Sequence, residues 1–174
     1  PICIPRLKPL LLAAAQQAAA QAGLSGNSGI LADTTYGQAA LNEITGQGWW
    51  IGRPVELPSS RPLRLEHGNI GSQLIDWPQE HVGKCLVFYH PHDAAELRRE
   101  QDELIADVYR GCCKSGHELL LEVILPDSNP DKDERHYLEM IEHFYQLGIQ
   151  PDWWKLPPLS AENWQRVGAL IDTY

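Results

Sequence analysis

Three long ionisable side chains, each within an apolar run, are the residues of this chain best suited to chemistry. Lys84 lies in VGKCLVFY, Glu122 in ELLLEVIL and Lys155 in PDWWKLPP. An amine that loses solvation in apolar surroundings has a lowered pKa, and its neutral form attacks carbonyl carbon. A second cation favours that neutral form, and a carboxylate can shuttle protons. The pattern therefore predicts imine formation by Lys155, assisted by Glu122 and Lys84.

Each of the three residues also has a structural interpretation. The Pro157-Pro158 pair cannot continue a central strand, so Lys155 is predicted to end a short buried strand. A buried lysine is costly, and we therefore favour a catalytic role, although it could be structural. Lys84 could extend its amine to solvent at the start of its strand, and Glu122 could pair with a helix end or an arginine.

The elements that must position these side chains alternate along the chain. Such alternation predicts a parallel sheet with helices outside, as in an α/β fold. The strands are apolar throughout, as expected when both faces are covered. Their carboxyl ends would then bring Lys84, Glu122 and Lys155 together. The predicted strands are 29–33, 82–89, 118–125 and 152–156, and the predicted helices are 8–22, 36–44, 93–114, 133–147 and 160–172.

The segment 46–77 differs in composition, because it is rich in glycine, proline, tryptophan and arginine. We predict a long loop excursion within a single domain that spans 1–174, since ordinary connections are much shorter. Its Arg53, Arg61 and Arg64 are candidate ligands for a phosphate or carboxylate, which guanidinium groups bind in a bidentate manner. The alternative is that an arginine only anchors the loop.

Other candidates are weaker. Asp33 ends the first predicted strand, and Tyr36 is expected to line the same site at the carboxyl ends of the strands. Asp33 could equally cap the next helix. His90 and His92, in the string HPHD, could bind a metal ion, but no third ligand is evident at a suitable spacing. We therefore expect no metal and no cofactor.

Composition excludes several functional classes. The chain has 174 residues and a net charge of −9, with no lysine or arginine cluster, which argues against binding nucleic acid. No apolar run approaches the roughly 18–20 residues of a membrane span. The four cysteines form no CxxC pair, which is typical of reduced thiols in a cytoplasmic protein.

Four strings in the chain, GRPVELPSSRPL, WPQEHVGKCLVFYHPHD, GHELLLEVILP and LGIQPDWWKLPP, resemble the domain family DUF2090 over nearly the whole length. That domain is fused behind a sugar kinase in bacterial proteins of inositol catabolism. The resemblance implies an aldolase that cleaves 5-dehydro-2-deoxygluconate 6-phosphate to dihydroxyacetone phosphate and malonate semialdehyde. The implied partners are this sugar acid and a fused or associated sugar kinase, and we expect a homo-oligomer.

The domain is in turn similar to class I tagatose-bisphosphate aldolases, which are (β/α)8 TIM barrels. This similarity implies that Lys155, on the sixth strand, forms the Schiff base. Glu122 then matches a glutamate on the fifth strand and Lys84 a lysine on the fourth. The third strand of these aldolases ends in an aspartate followed by a tyrosine, which match Asp33 and Tyr36.

The chain is shorter than a full barrel, which needs roughly 200–250 residues or more. We count about four of eight strands and find neither the first strand's motif nor the last strands' phosphate-binding backbone. We therefore expect the chain to cover a central part of a barrel. Two alternatives stay open: a non-catalytic or regulatory barrel fragment associated with a carbohydrate kinase, with 46–77 as an interface, and a metal-dependent lyase that uses HPHD.

Overall fold

Five parallel strands form one sheet in the order β1-β2-β3-β4-β5 in a computed structural model, which describes residues 3–126 and 132–174. Consecutive strands are neighbours, and a helix lies between the strands of each pair; the helix before β3 has only five residues. The strands are β1 (Gly29–Leu31), β2 (Trp50–Pro54), β3 (His81–Phe88), β4 (Leu119–Ile124) and β5 (Trp153–Lys155). The helices are α1 (Ile4–Gln21), α2 (Thr34–Ile44), α3 (Ile70–Leu74), α4 (Ala95–Ser115), α5 (Arg135–Gln146) and α6 (Ala161–Ile171).

The sheet curls like half of a barrel. Trp50 of β2 and Trp153 of β5 are separated by two strands, yet their rings meet edge to face with centroids 5.9 Å apart. This contact closes over the concave face of the sheet. The architecture is therefore an α/β fold with a curved parallel sheet, consistent with part of a barrel.

Side chains of each strand alternate between the two faces. The positions that point to the helices form the main core, in which Val87 of β3 and Leu121 of β4 pack with Ile105 of α4 and Phe144 of α5. All four side chains are fully buried. The remaining positions of these strands, including those of the three candidate residues, point to the concave face.

The predicted loop 46–77 is wrong as a single excursion, because it contains β2 and α3. The sequence WIGRP carries a glycine, an arginine and a proline, which are poor strand formers. Gly52 is needed there, since a Cβ atom would lie 2.8 Å from Cη2 of the Trp50 ring. Pro54 is tolerated because it is the last residue of the strand, paired with Lys84. The described residues thus hold five strands instead of about four.

The other predicted elements are confirmed within a few residues. Ser160 caps α6 as predicted, because its hydroxyl accepts a hydrogen bond from the backbone N–H of Asn163 at 3.4 Å. The predicted helix 133–147 corresponds to Arg135–Gln146. No helix in the described ranges has the length and apolar character that crossing a membrane requires.

Candidate active site

The structure brings Lys84, Glu122 and Lys155 together on the concave face. Glu122 and Lys155 are direct partners in the register of β4 and β5. The amine of Lys155 donates a hydrogen bond to Oε1 of Glu122. The amine of Lys84 lies 3.0 Å from Oε2 of the same carboxylate. One carboxylate therefore holds two amines, one on each oxygen.

A fourth residue, Glu56, joins this group and was missed in the sequence. Its Oε1 accepts a hydrogen bond of 2.6 Å from the amine of Lys84. Glu56 follows β2, so the unrecognised strand also concealed the carboxylate that lies just beyond it. The usable signal was the string GRPVE, whose carboxylate lies two residues after the end of a short strand.

The pKa values of the two inner groups move in directions that favour charge. Burial lowers the pKa of Lys84, but the carboxylates of Glu56 and Glu122 outweigh this and raise it above the ordinary value. Burial likewise raises the pKa of Glu122, but hydrogen bonds from Lys155 and Lys84 outweigh it and leave a lowered value. In the resting protein near neutral pH, Lys84 is therefore protonated and Glu122 is ionised.

Lys155 is more accessible than predicted. Its side chain is 48% exposed, whereas those of Lys84, Glu122 and Glu56 are 7%, 9% and 8% exposed. The expectation of a buried lysine was wrong because β5 lies at the edge of the sheet and its concave positions are open. The amine that reacts in the proposed chemistry can thus meet a substrate while the other three groups stay dry.

A small cavity of about 200 Å³ adjoins this group. Glu56 lines it together with the concave residues Leu86 and Phe88 and the loop residues that follow Glu56. The second oxygen of Glu56, Oε2, is buried and has no hydrogen-bond partner in the part of the chain that the structure describes. It is therefore available to accept a hydrogen bond from a ligand.

Asp33 and Tyr36 lie elsewhere. Asp33 caps α2, since its carboxylate accepts a 2.6 Å hydrogen bond from the Tyr36 N–H, and it forms a 2.9 Å ion pair with Lys8. Burial raises its pKa, but Lys8 and the Tyr36 N–H outweigh this and lower it. Within the described ranges, no hydrogen bond or ion pair joins Asp33 to Lys84. Because β2 separates β1 from β3, the carboxylate beside Lys84 is that of Glu56, which lies just after β2.

The arginines of 46–77 are dispersed. Arg61 forms an ion pair with Asp93 at 2.5 Å, and Arg64 is exposed. Arg53 belongs to β2 but points to the helices, because its register partner Gly83 faces Cys112 of α4. It lies on the opposite face of the sheet from Lys155.

A possible metal-ligand group lies at the loop after β3. One ligand atom from each of His92, His136 and Glu139 lies within 4.8 Å of the others. Two imidazoles and a carboxylate are suitable ligands for zinc or iron. His92 comes from the HPHD string, whereas α5 supplies the other two ligands, and His90 is not part of the group.

The family follows from a comparison over the full length. A bacterial family described as "Uncharacterized protein conserved in bacteria (DUF2090)" matches residues 2–174. The chain belongs to the DUF2090 family. No curated protein matches the chain significantly. Membership in DUF2090 agrees with the resemblance of the four strings and leaves the activity to be argued from the site.

Proposed function

We propose that this DUF2090 chain carries the Schiff-base site of a class I aldolase. The observation that carries the proposal is the Glu122 carboxylate that binds the amines of Lys84 and Lys155 together. The proposed substrate is a phosphorylated keto sugar acid, 5-dehydro-2-deoxygluconate 6-phosphate. The half-barrel would then be the central part of a (β/α)8 barrel, in a cytoplasmic enzyme of inositol catabolism linked to a sugar kinase.

The first stage is imine formation at Lys155. The amine passes a proton to Glu122 and attacks the ketone carbon of the substrate, which gives a carbinolamine. Glu122 returns the proton to the carbinolamine hydroxyl, which leaves as water. The product is a protonated imine, whose positive nitrogen can accept an electron pair. The accessible position of Lys155 beside a buried carboxylate supports this assignment.

The second stage breaks a carbon–carbon bond. Glu122 takes the proton from the substrate hydroxyl two carbons from the imine carbon, and that oxygen becomes the aldehyde of malonate semialdehyde. The bonding pair moves into the imine and forms an enamine. Protonation of the enamine and hydrolysis then release dihydroxyacetone phosphate and restore Lys155.

In this scheme Lys84 and Glu56 position the substrate and polarise its oxygen atoms. The charge of Lys84 is held by two carboxylates, so it can donate a hydrogen bond to a substrate oxygen without losing its proton. Glu56 fixes Lys84 through Oε1 and offers Oε2 to a substrate hydroxyl.

Borohydride trapping tests the proposal. We expect the chain, incubated with dihydroxyacetone phosphate and borohydride, to gain a covalent adduct that peptide mass spectrometry places on Lys155. Lys155→Met should abolish the adduct, whereas Lys114→Met, at an exposed lysine of α4, should keep it.

An adduct that persists in a folded Lys155→Met variant would overturn the assignment. A correctly folded wild-type chain that forms no adduct would also contradict it and favour a non-catalytic domain. Size exclusion and pull-down with a sugar kinase would then be the informative measurements.

A further inference from the structure

A second cavity lies on the helix side of the sheet, away from the candidate active site. Its volume is about 650 Å³, within the range of small-molecule sites. Residues of α2 line one wall, and α3 with the residues that follow it lines the other. Arg53 of β2 forms part of the floor.

Arg53 is a buried cation that lacks an anionic partner. It is only 5% exposed, and within the described ranges no carboxylate lies at ion-pair distance. Its guanidinium donates to the Thr34 hydroxyl at 2.8 Å and lies 3.9 Å from the centre of the Trp77 ring. Burial lowers the pKa of Arg53 to about 10, which still leaves it charged at neutral pH.

The remaining neighbour of Arg53 is an uncharged histidine. Burial, followed by the charge of Arg53, lowers the pKa of His81 to about 4. Nδ1 of His81 accepts a hydrogen bond from Arg53 at 3.2 Å, so Nε2 carries the proton and donates to Thr45 at 2.9 Å. Among the described residues, the groups that contact the guanidinium are therefore uncharged, and burial of an uncompensated charge is costly.

Two more observations indicate that a ligand is expected here. Nε of Arg53 is buried without a hydrogen-bond partner, and so are both amide atoms of Gln73, a lining residue that is 7% exposed. Buried polar atoms are nearly always satisfied, so three unsatisfied ones around one cavity need an explanation. Asp76 is the lining carboxylate, and it is exposed at the rim.

We propose that this cavity binds a small oxyanion, a carboxylate or a phosphate group, at a site distinct from the Lys155 site. Arg53 supplies the countercharge and the free Nε–H, and the Gln73 amide supplies a further donor. Oε1 of Gln73 accepts a hydrogen bond from a hydroxyl next to the anionic group. The assignment does not depend on aldolase activity, because Arg53 and Lys155 lie on opposite faces of the sheet.

The test is direct anion binding to the full chain. Inorganic phosphate and, separately, acetate are titrated by calorimetry and by the fluorescence of tryptophan, since Trp77 stacks on Arg53. We expect saturable binding of at least one anion, and the preferred anion identifies the ligand group. Arg53→Gln should weaken binding roughly tenfold or more, because hydrogen bonds to charged groups are worth about 1.5–3 kcal/mol. Arg166→Gln removes an equal charge at an exposed site and should leave binding unchanged.

Gln73→Met supplies an independent variant of similar volume if Arg53→Gln folds poorly. It should raise the melting temperature in anion-free buffer, because it removes two unsatisfied polar atoms, and it should weaken anion binding several-fold. Equal affinity in wild type and Arg53→Gln, or in wild type and Gln73→Met, would overturn the proposal. Absence of saturable binding of both anions would overturn it as well.

Discussion

At the scale of single residues, the site depends on how two lysines and two glutamates pair with one another on the concave face. Lys84 is buried between two carboxylates, whereas Lys155 reaches Glu122 from the exposed side. This arrangement divides the roles of the two lysines. The buried lysine keeps its proton, and the accessible lysine has one carboxylate partner among the described residues and room for a substrate.

The lowered pKa of Glu122 makes stability depend on pH. A carboxyl whose pKa is lowered in the folded state stabilises the fold at pH values above its ordinary pKa of 4.5. This contribution is lost as the pH falls through the folded-state pKa. Glu122→Gln should cost about 1–3 kcal/mol near pH 7, and the gap to wild type should narrow below about pH 4.5. Urea unfolding of both proteins from pH 7 to below pH 4.5 measures this difference in the free energy of unfolding.

Glu100→Gln, an exposed position on α4, is the control and should follow wild type at each pH. A constant gap between wild type and Glu122→Gln down to acid pH would show that the carboxylate does not hold the two amines as described.

At the scale of elements, β2 and the short α3 determine where the charges meet. β2 places Glu56 beside Lys84 and Arg53 on the opposite face. α3 packs on α4 where a glycine allows close approach, because a Cβ atom on Gly111 would lie 2.7 Å from Cγ2 of Ile70. Ile70 is branched and buried, so it has little freedom to move.

Two helix glycines should respond oppositely to alanine. Gly111→Ala gains helix propensity but overpacks against Ile70, and overpacking costs about 1–3 kcal/mol, so we expect net destabilisation. Gly168→Ala on α6 meets nothing within 4 Å and should stabilise by up to about 1 kcal/mol. Thermal unfolding of the two variants compares them directly, and stabilisation by Gly111→Ala would contradict the packing of α3 on α4.

The same elements show what sequence patterns could and could not predict. Apolar runs predicted the strands β3, β4 and β5. Because these strands pair in parallel as neighbours, their prediction also implied that Lys84, Glu122 and Lys155 lie close together. The strand β2 was missed, since its composition reflects a close approach at Gly52 and a buried arginine instead of an apolar pattern.

At the scale of the whole molecule, the curved sheet separates three groups with different chemistry. The amines and carboxylates lie on the concave face, the Arg53 cavity lies under the helices, and His92, His136 and Glu139 meet beyond β3. The third group is the basis of the competing metal-dependent mechanism. The two mechanisms differ in what accepts the electron pair: a protonated imine in one, a metal ion in the other.

Chelation separates these mechanisms. Because an imine on Lys155 would supply the electron sink in the proposed mechanism, we expect a strong chelator to leave both borohydride trapping and substrate cleavage unchanged. His92→Ala, at an exposed member of the ligand group, should likewise retain the wild-type rate, since His92 has no contact with the Lys155 amine among the described residues. Cleavage that is lost on chelation and restored by Zn²⁺, with Lys155→Met fully active, would instead assign the chemistry to the histidines. If the chelator does not affect the wild type and Lys155→Met loses cleavage, the imine mechanism accounts for both results.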